Sequence, residues 1–388
     1  MRLPEPRPIS ARFSAQLDCF RWVAALLVCT SHLRSLALVD YDPAVPHAWG
    51  ARLFYALHGY GHEAVMIFFV LSGYLVGGEV LRHLQRGVFD WRTYALRRFA
   101  RLYAVYLVAL LLGSLLDHTG LLWFSDTGVY THAVNFPMLF YNVSTRLDAG
   151  TFIGNLFFCQ SVVVPSYGSN VPLWSLANEA WYYLLFPLLA VPFLSPLPNL
   201  RKIAAFLLLA VSAWFVRGPI LLYASIWLLG VLVHIPARPF LGRAWPALTV
   251  LAGLMLVTRL HFLEHVPLIA RDLGLGAAFA LVLQTLSHTR AGAFPLAILH
   301  RNLAGFSYSL YLCHWPLGLF TAAASQHVLG FGLRSPLSAA GLCFYSGLLI
   351  LVYGAAWLLS RWTEHRTTAL RARLAVLFGL PKPAVPAT

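Results

Sequence analysis

The chain has 388 residues, of which 59% are hydrophobic and only 11% charged, and its mean hydropathy is +0.69. Soluble globules are about half apolar and about a quarter charged, so this composition excludes a soluble protein and points to an all-α protein that crosses a membrane many times. The formal net charge of +14 would suggest nucleic acid for a soluble chain. Here the distribution of the charge sets topology instead, and no nucleic-acid partner is expected.

No cleavable signal is visible in Met1 to Arg12, which is rich in Pro and Arg and leads into a helix long enough to span. The first predicted helix, 17–38, holds Asp18, Arg21 and His32. Ionisable groups inside a bilayer are expensive and usually mark function. Eleven residues at about 100° each come to roughly 1100°, about 20° past three turns, so Arg21 and His32 share one face roughly 16 Å apart along the axis. Asp18, three residues before Arg21, is placed to pair with it. The competing reading is an arginine snorkelling at the helix foot and a histidine bonding a neighbouring backbone.

The second predicted helix, 63–82, contains Phe68-Phe-Val-Leu-Ser72-Gly-Tyr74. Ser72-Gly73 inside a bulky apolar run lets another helix or a ligand approach the backbone closely, most often as a packing device. Glu63 stabilises the amino end of this helix and Glu79 lies near its other boundary, so neither leads as a site residue. The third helix, 98–116, opens with Arg97-Arg98-Phe-Ala-Arg101. Arg98 and Arg101 fall on one face, and their guanidinium groups suit a bound phosphate; orientation signals and lipid contacts are the plainer use of such residues.

The loop 117–173 holds Phe152 to Gln160, an apolar run too short to span and read as interfacial or re-entrant. Asn142-Val-Ser144 matches a glycosylation sequon, a pattern common by chance. The fourth helix, 174–194, puts Ser175, Glu179, Tyr182 and Tyr183 on one face, with Glu179 about a turn and a half down, where a carboxylate needs a partner. Helices at 201–216, 218–235, 245–260 and 268–287 follow, the first two joined tightly at Arg217-Gly-Pro219. The ninth, 303–324, aligns Ser307, Tyr311 and His314, and places His314 at about the depth of His32, about 20 Å from the inner end. Pro316 frees a carbonyl nearby.

With a tenth helix at 338–360, the expected architecture is ten spans with both ends cytoplasmic. An N-terminal segment 1–16 precedes a membrane domain 17–362, and a basic tail 363–388 closes the chain, with Pro381 to Thr388 expected to be disordered. This arrangement collects 21 of the 28 basic residues on the cytoplasmic side and leaves Arg34, Arg52, Arg146, Arg217, Arg259, Arg271 and Arg334 outside. The five cysteines, Cys19, Cys29, Cys159, Cys313 and Cys343, are scattered without metal-ligand spacing and read as packing residues.

Taken in order, Arg21-x10-His32, Phe-Phe-Val-Leu-Ser-Gly-Tyr, Arg98-x-x-Arg101, Trp174-Ser-Leu-x-x-Glu179-x-x-Tyr-Tyr183 and Ser307-Tyr-Ser-Leu-Tyr-Leu-x-His314-x-Pro316 closely resemble the acyltransferase-3 family of integral membrane acyltransferases, from residue 17 to about 360. The resemblance implies transfer of an acyl group, typically acetyl from acetyl-CoA as co-substrate, to a hydroxyl of a carbohydrate or glycolipid at the bacterial inner membrane. It makes Arg21 and His32 the family's essential pair and Arg98 with Arg101 its cytoplasmic arginine motif, Arg97 lying beside them, and puts Glu179 at the family's Trp-Ser-Leu-x-x-Glu position. The chain departs from the pattern at Ala104, where members often have Pro, and at Met66, where they often have an acidic residue.

Acyl transfer needs a base, a hold on the thioester and donors for the developing oxyanion. His32 is the candidate base or acyl carrier, and Arg21, Arg98 and Arg101 are candidates for the CoA phosphates. Glu179, Tyr183, Tyr311 and His314, with Ser72 and Asp18, are placed to orient His32 or the acceptor. A transporter of a lipid-linked sugar would also need mid-depth polar groups, but predicts internal repeats, which are not seen. A structural subunit would tolerate loss of His32.

Overall fold

A computed structural model describes residues 8–42, 48–134, 136–289, 292–336 and 338–380; Arg2, Arg7, Arg290, Lys382 and the tail Pro381–Thr388 lie outside them. The described chain is all-helical. Its elements are α1 (Ala11–Ala37), α2 (Trp49–Leu57), α3 (Gly61–Ser72), a π-helical turn (Gly73–Gly77), α4 (Gly78–Gln85), α5 (Trp91–Phe124), α6 (Ala149–Leu156), α7 (Leu173–Leu194), α8 (Asn199–Phe215), α9 (Pro219–Leu232), α10 (Trp245–Arg259), α11 (Leu268–Ser287), α12 (Ala297–Ala304), α13 (Ser307–Leu329), α14 (Ala339–Trp362) and α15 (Thr367–Leu377).

Each of the ten predicted helices has a helical counterpart, but fewer pass as spans by length and apolarity. Five stretches do: Ala11–Ala37, Trp49–Gln85, Trp91–Thr127, Leu268–Ser287 and Ala339–Leu377. The pair α8 and α9, bent by 120° at its break, makes six at most. Helices α7 and α13 are long enough but carry the polar residues of the site, which lower their hydropathy.

Local chemistry sets the boundaries. Helix α1 starts at Ala11, six residues earlier than expected, because the Ser10 side chain caps it by accepting from the Phe13 amide at 3.2 Å. Helix α5 starts at Trp91, capped by Asp90, which accepts from the Thr93 amide at 2.8 Å. It then runs unbroken through Ala104, where a proline would have interrupted it. The sharp corner between α8 and α9 uses Gly218 at φ +87° and Pro219 in the first helical turn.

Helix α1 is central, packing on α3, α12, α13 and α14, while α13 also packs on α5. Helix α3 and its π turn cross α9 at backbone contact. A Cβ on Gly73 would lie 1.9 Å from the Trp227 carbonyl oxygen, and one on Gly230 would lie 2.0 Å from that of Val70. The close approach expected of Ser72-Gly73 is therefore to a helix. The short helix α6 cannot span; it leaves Ile153 and Phe157 exposed while Asn155 is buried, bonding Thr151, Pro165 and Tyr167 backbone groups.

Three prolines sit inside site helices, Pro187 and Pro192 in α7 and Pro316 in α13, and the rungs opened by two of them are filled by side chains. Pro316 has no N–H for the Leu312 carbonyl, and Asn170 Nδ2 donates to it instead at 2.9 Å. Pro187 likewise frees the Tyr183 carbonyl, which accepts from Tyr94 Oη at 2.8 Å.

Candidate active site

A cavity of about 230 Å³ opens among α1, α3, α5, α7 and α13. Its polar lining includes Arg21, Ser72, Arg98, Arg101, Glu179 and Tyr183, with Ser175, Ser307, Tyr308 and Tyr311 also in the wall. Residues predicted from five separate helices thus face one space. Asp18, Arg97, His32 and His314 are not part of that wall.

The guanidinium groups are held differently. Arg98 lies over the rings of Tyr94 and Tyr183, each 5.7 Å away, and bonds Glu79 Oε2 at 2.5 Å. Arg97 takes the other oxygen, Glu79 Oε1, at 2.9 Å, and does not line the cavity. Arg101 lies 5.4 Å over the Tyr308 ring, and no hydrogen-bond or ion-pair partner for it occurs among the described residues. Arg21 reaches Asp18 Oδ1 at 3.5 Å, the pairing that the i, i+3 spacing predicts. Glu79, which the sequence reading set aside, anchors Arg98 of the cavity wall and Arg97 beside it. Its partners lie 18 and 19 residues away across a turn, a spacing no helical period reveals.

Next to Arg98 runs an ordered series of donors. Trp227 Nε1 donates to Ser72 Oγ at 3.1 Å, the Ser72 hydroxyl is 3.4 Å from Tyr183 Oη, and Tyr183 donates to Glu179 Oε1 at 2.5 Å. Every donor in the run points toward Glu179, which leaves its second oxygen available to the cavity. Tyr182, on the same predicted face, turns instead to α9 and donates to the Ile220 carbonyl at 2.7 Å. Tyr311 Oη meets Ser175 Oγ at 2.6 Å.

Behind Tyr311 stand the two histidines. The His314 ring lies 6.0 Å from the Tyr311 ring, and its Nδ1 is 2.8 Å from the Tyr311 carbonyl and 3.2 Å from that of Leu310. Carbonyls only accept, so the hydrogen-bond network assigns the His314 proton to Nδ1 and leaves Nε2 as an acceptor. His32 Nδ1 is 2.8 Å from that Nε2 and therefore donates. His32 Nε2 then carries the free lone pair. It faces Gly61 at the start of α3, where a Cβ would come within 3.3 Å of it.

At the foot of α5, outside the span, the Thr93 hydroxyl and amide hold the Asp90 carboxyl below the usual carboxylate range. That cap fixes the turn from which Arg97, Arg98 and Arg101 project.

An uncharacterised protein of Haemophilus influenzae is 28% identical over 126 residues, which is 32% of this chain and 47% of that protein. The chain thus spans about half the length of the curated relative it matches. No solved structure matches it at a significant level. The sequence pattern of the acyltransferase-3 family, described as an acyltransferase domain, matches residues 14–361. With nearly its whole length matched, and with its apolar helices, this multi-pass membrane protein belongs to the acyltransferase-3 family.

Proposed function

We propose that the protein moves an acyl group, with acetyl as the expected case, from acyl-CoA to a hydroxyl of a carbohydrate or glycolipid acceptor. It works in the bacterial inner membrane with ten spans and both ends cytoplasmic, the arrangement that puts 21 of 28 basic residues inside. Helices α7 and α13 then count as spans whose polar faces are turned inward.

The observation that carries the reading is the convergence of Arg21, Arg98 and Arg101 on one cavity. Guanidinium groups are the side chains best shaped for phosphate oxygens, and Arg101 keeps its donors uncommitted. At about 230 Å³ the cavity is smaller than the roughly 300–1,000 Å³ that encloses a whole drug-sized ligand. It suits the slender arm that carries the thioester, with the nucleotide left at the arginine mouth.

His32 Nε2 is the base. It takes the proton of the acceptor hydroxyl, the oxygen attacks the thioester carbonyl, and the C–S bond breaks. The leaving thiolate regains the proton from His32, giving free CoA thiol and neutral imidazole. Acylation of Nε2 itself would use the same nitrogen, with the hydroxyl attacking in a second step. In either case the thioester carbonyl has to pass Tyr311 and Phe68, whose rings lie 5.7 Å apart, before it meets His32.

The test is transfer of label from radiolabelled acetyl-CoA into membrane lipid and glycan extracts, with wild type, His32→Ala and Arg98→Ala at matched protein levels. Label that needs both residues supports the reading. Equal label in all three, or none from folded wild type, rejects it.

A further inference from the structure

Five residues at the start of α3 gather polar groups from four other helices. A Cβ on Gly59 would strike the Arg259 guanidinium of α10 at 2.4 Å, and one on Gly61 would meet Ser31 Oγ at 3.0 Å and His32 Nε2 at 3.3 Å, both from α1. Both glycines leave room for these side chains to come close to the backbone. His62 Nε2 lies 2.9 and 3.0 Å from the two oxygens of Asp272 on α11, and Tyr223 Oη of α9 donates to the same carboxylate at 3.3 Å. Glu63, only 8% exposed, has its Oε2 buried without a hydrogen-bond partner.

Two of these groups are acceptors with no hydrogen-bond partner among the described residues: Glu63 Oε2 on α3 and His32 Nε2 on α1. Asp272 holds the Nε2–H of His62, whose side chain is 38% exposed, so its Nδ1 meets a hydroxyl as acceptor or donor according to the charge of the ring. Together they call for a ligand with several hydroxyl groups, which both donate and accept. The Arg259 guanidinium alongside disfavours a cation and leaves an uncharged polyhydroxyl group as the fit.

Resting on the acyltransferase reading above, we propose that the start of α3 is the acceptor subsite, where Glu63 Oε2 accepts from one hydroxyl of the acceptor and His62 Nδ1 bonds another, so placing a further hydroxyl against His32 Nε2. Glu63 is the specificity-determining contact. Asp272 acts through His62 and is a positioning residue. Donor and acceptor would then occupy separate halves of the protein, with Tyr311 and the histidine pair between them.

Two readouts separate this subsite from the donor cavity, both on detergent-solubilised full-length protein. The first is the Kd for radiolabelled CoA. The second is the concentration of membrane lipid and glycan extract that half-saturates transfer of label from acetyl-CoA. Glu63→Gln keeps the side-chain shape and exchanges a charge-assisted hydrogen bond for a neutral one; it is expected to raise the half-saturating extract concentration about tenfold while CoA Kd stays unchanged. Asp272→Asn should raise it too and change its pH profile, through His62 and Glu63, which titrate there beside Arg259, Arg271 and Tyr223. Arg101→Ala should show the reverse pattern, weak CoA binding and unchanged extract dependence. Wild-type extract dependence in Glu63→Gln overturns the subsite, and so does loss of its CoA binding, which would make Glu63 a structural residue. A folded wild type that binds CoA but deposits no label removes the acyltransferase reading and the subsite with it.

Discussion

His32 Nδ1 and His314 Nε2 are 2.8 Å apart, and His314 is itself held by the Tyr311 carbonyl. The pair therefore decides which nitrogen of His32 is free to react. Replacing His314 by Ala removes the acceptor that orients His32, and kcat should fall on the order of 10²-fold with little change in the KM for acyl-CoA. His314→Gln, whose amide oxygen can accept from Nδ1, should recover part of the rate. Wild-type kcat in His314→Ala would show that His32 is oriented by other groups.

The three arginines of the RRFAR segment should not be equivalent. Arg101→Ala removes an uncommitted guanidinium from the cavity wall and is expected to weaken CoA binding about 10-fold to 100-fold, by an amount that shrinks at high salt. Arg97 is tied to Glu79 and does not line the cavity, so Arg97→Ala should stay within about fivefold of wild type. Isothermal titration with CoA at two ionic strengths checks both, and equal losses would mean that Arg97 also reaches the ligand.

At the crossing of α3 and α9 there is no room for a methyl group. Gly73→Ala and Gly230→Ala each put a Cβ about 2 Å from a backbone carbonyl, so each should cost about 3 kcal/mol or more. The expected readout is a clear drop in the Tm of the solubilised protein, larger than for Gly253→Ala, where nothing lies within 4 Å. Comparable Tm values for all three would contradict the close crossing.

Asn170→Ala leaves the Leu312 carbonyl buried and unpaired, at an expected cost of about 1–3 kcal/mol. Because Leu312 lies two residues from His314, transfer should fall further than CoA binding does. Thermal unfolding together with CoA titration distinguishes a local loss from a global one.

The Asp90 cap gives a pH-dependent test outside the membrane. Its carboxyl is held below the usual range in the folded protein, so the stability it adds is present above about pH 4 and is lost as pH falls through the folded value. Asp90→Ala should lower stability by about 1 kcal/mol near neutrality, with the gap from wild type narrowing in acid. A gap that stays constant down to acid pH would show that the ionised carboxylate is not what caps α5.

Much of the site was legible because period and polarity speak within a single helix. Ser175, Glu179 and Tyr183 share a face, as do Ser307 and Tyr311, and all of them reach the cavity. Arg98 and Arg101, three apart, do so too. What the sequence could not convey was tertiary pairing. Glu79 looked like a boundary residue and instead holds Arg97 and Arg98. His32, first among the candidates, stands behind the cavity wall because His314 draws it there, and no spacing encodes a contact 282 residues apart. Span number was hard to read for a related reason: a helix that lines a polar site loses the hydropathy by which spans are recognised.

Pro187 and Pro316 each open one rung of a site helix, and a side chain from another segment fills it. Tyr94 therefore clamps α5 onto α7 beside Arg98, and Asn170 clamps the long loop onto α13 beside His314. The two prolines act as sockets, one at the arginine end and one at the histidine end. Loss of either plug would loosen its own pair of segments while leaving the other pair in register.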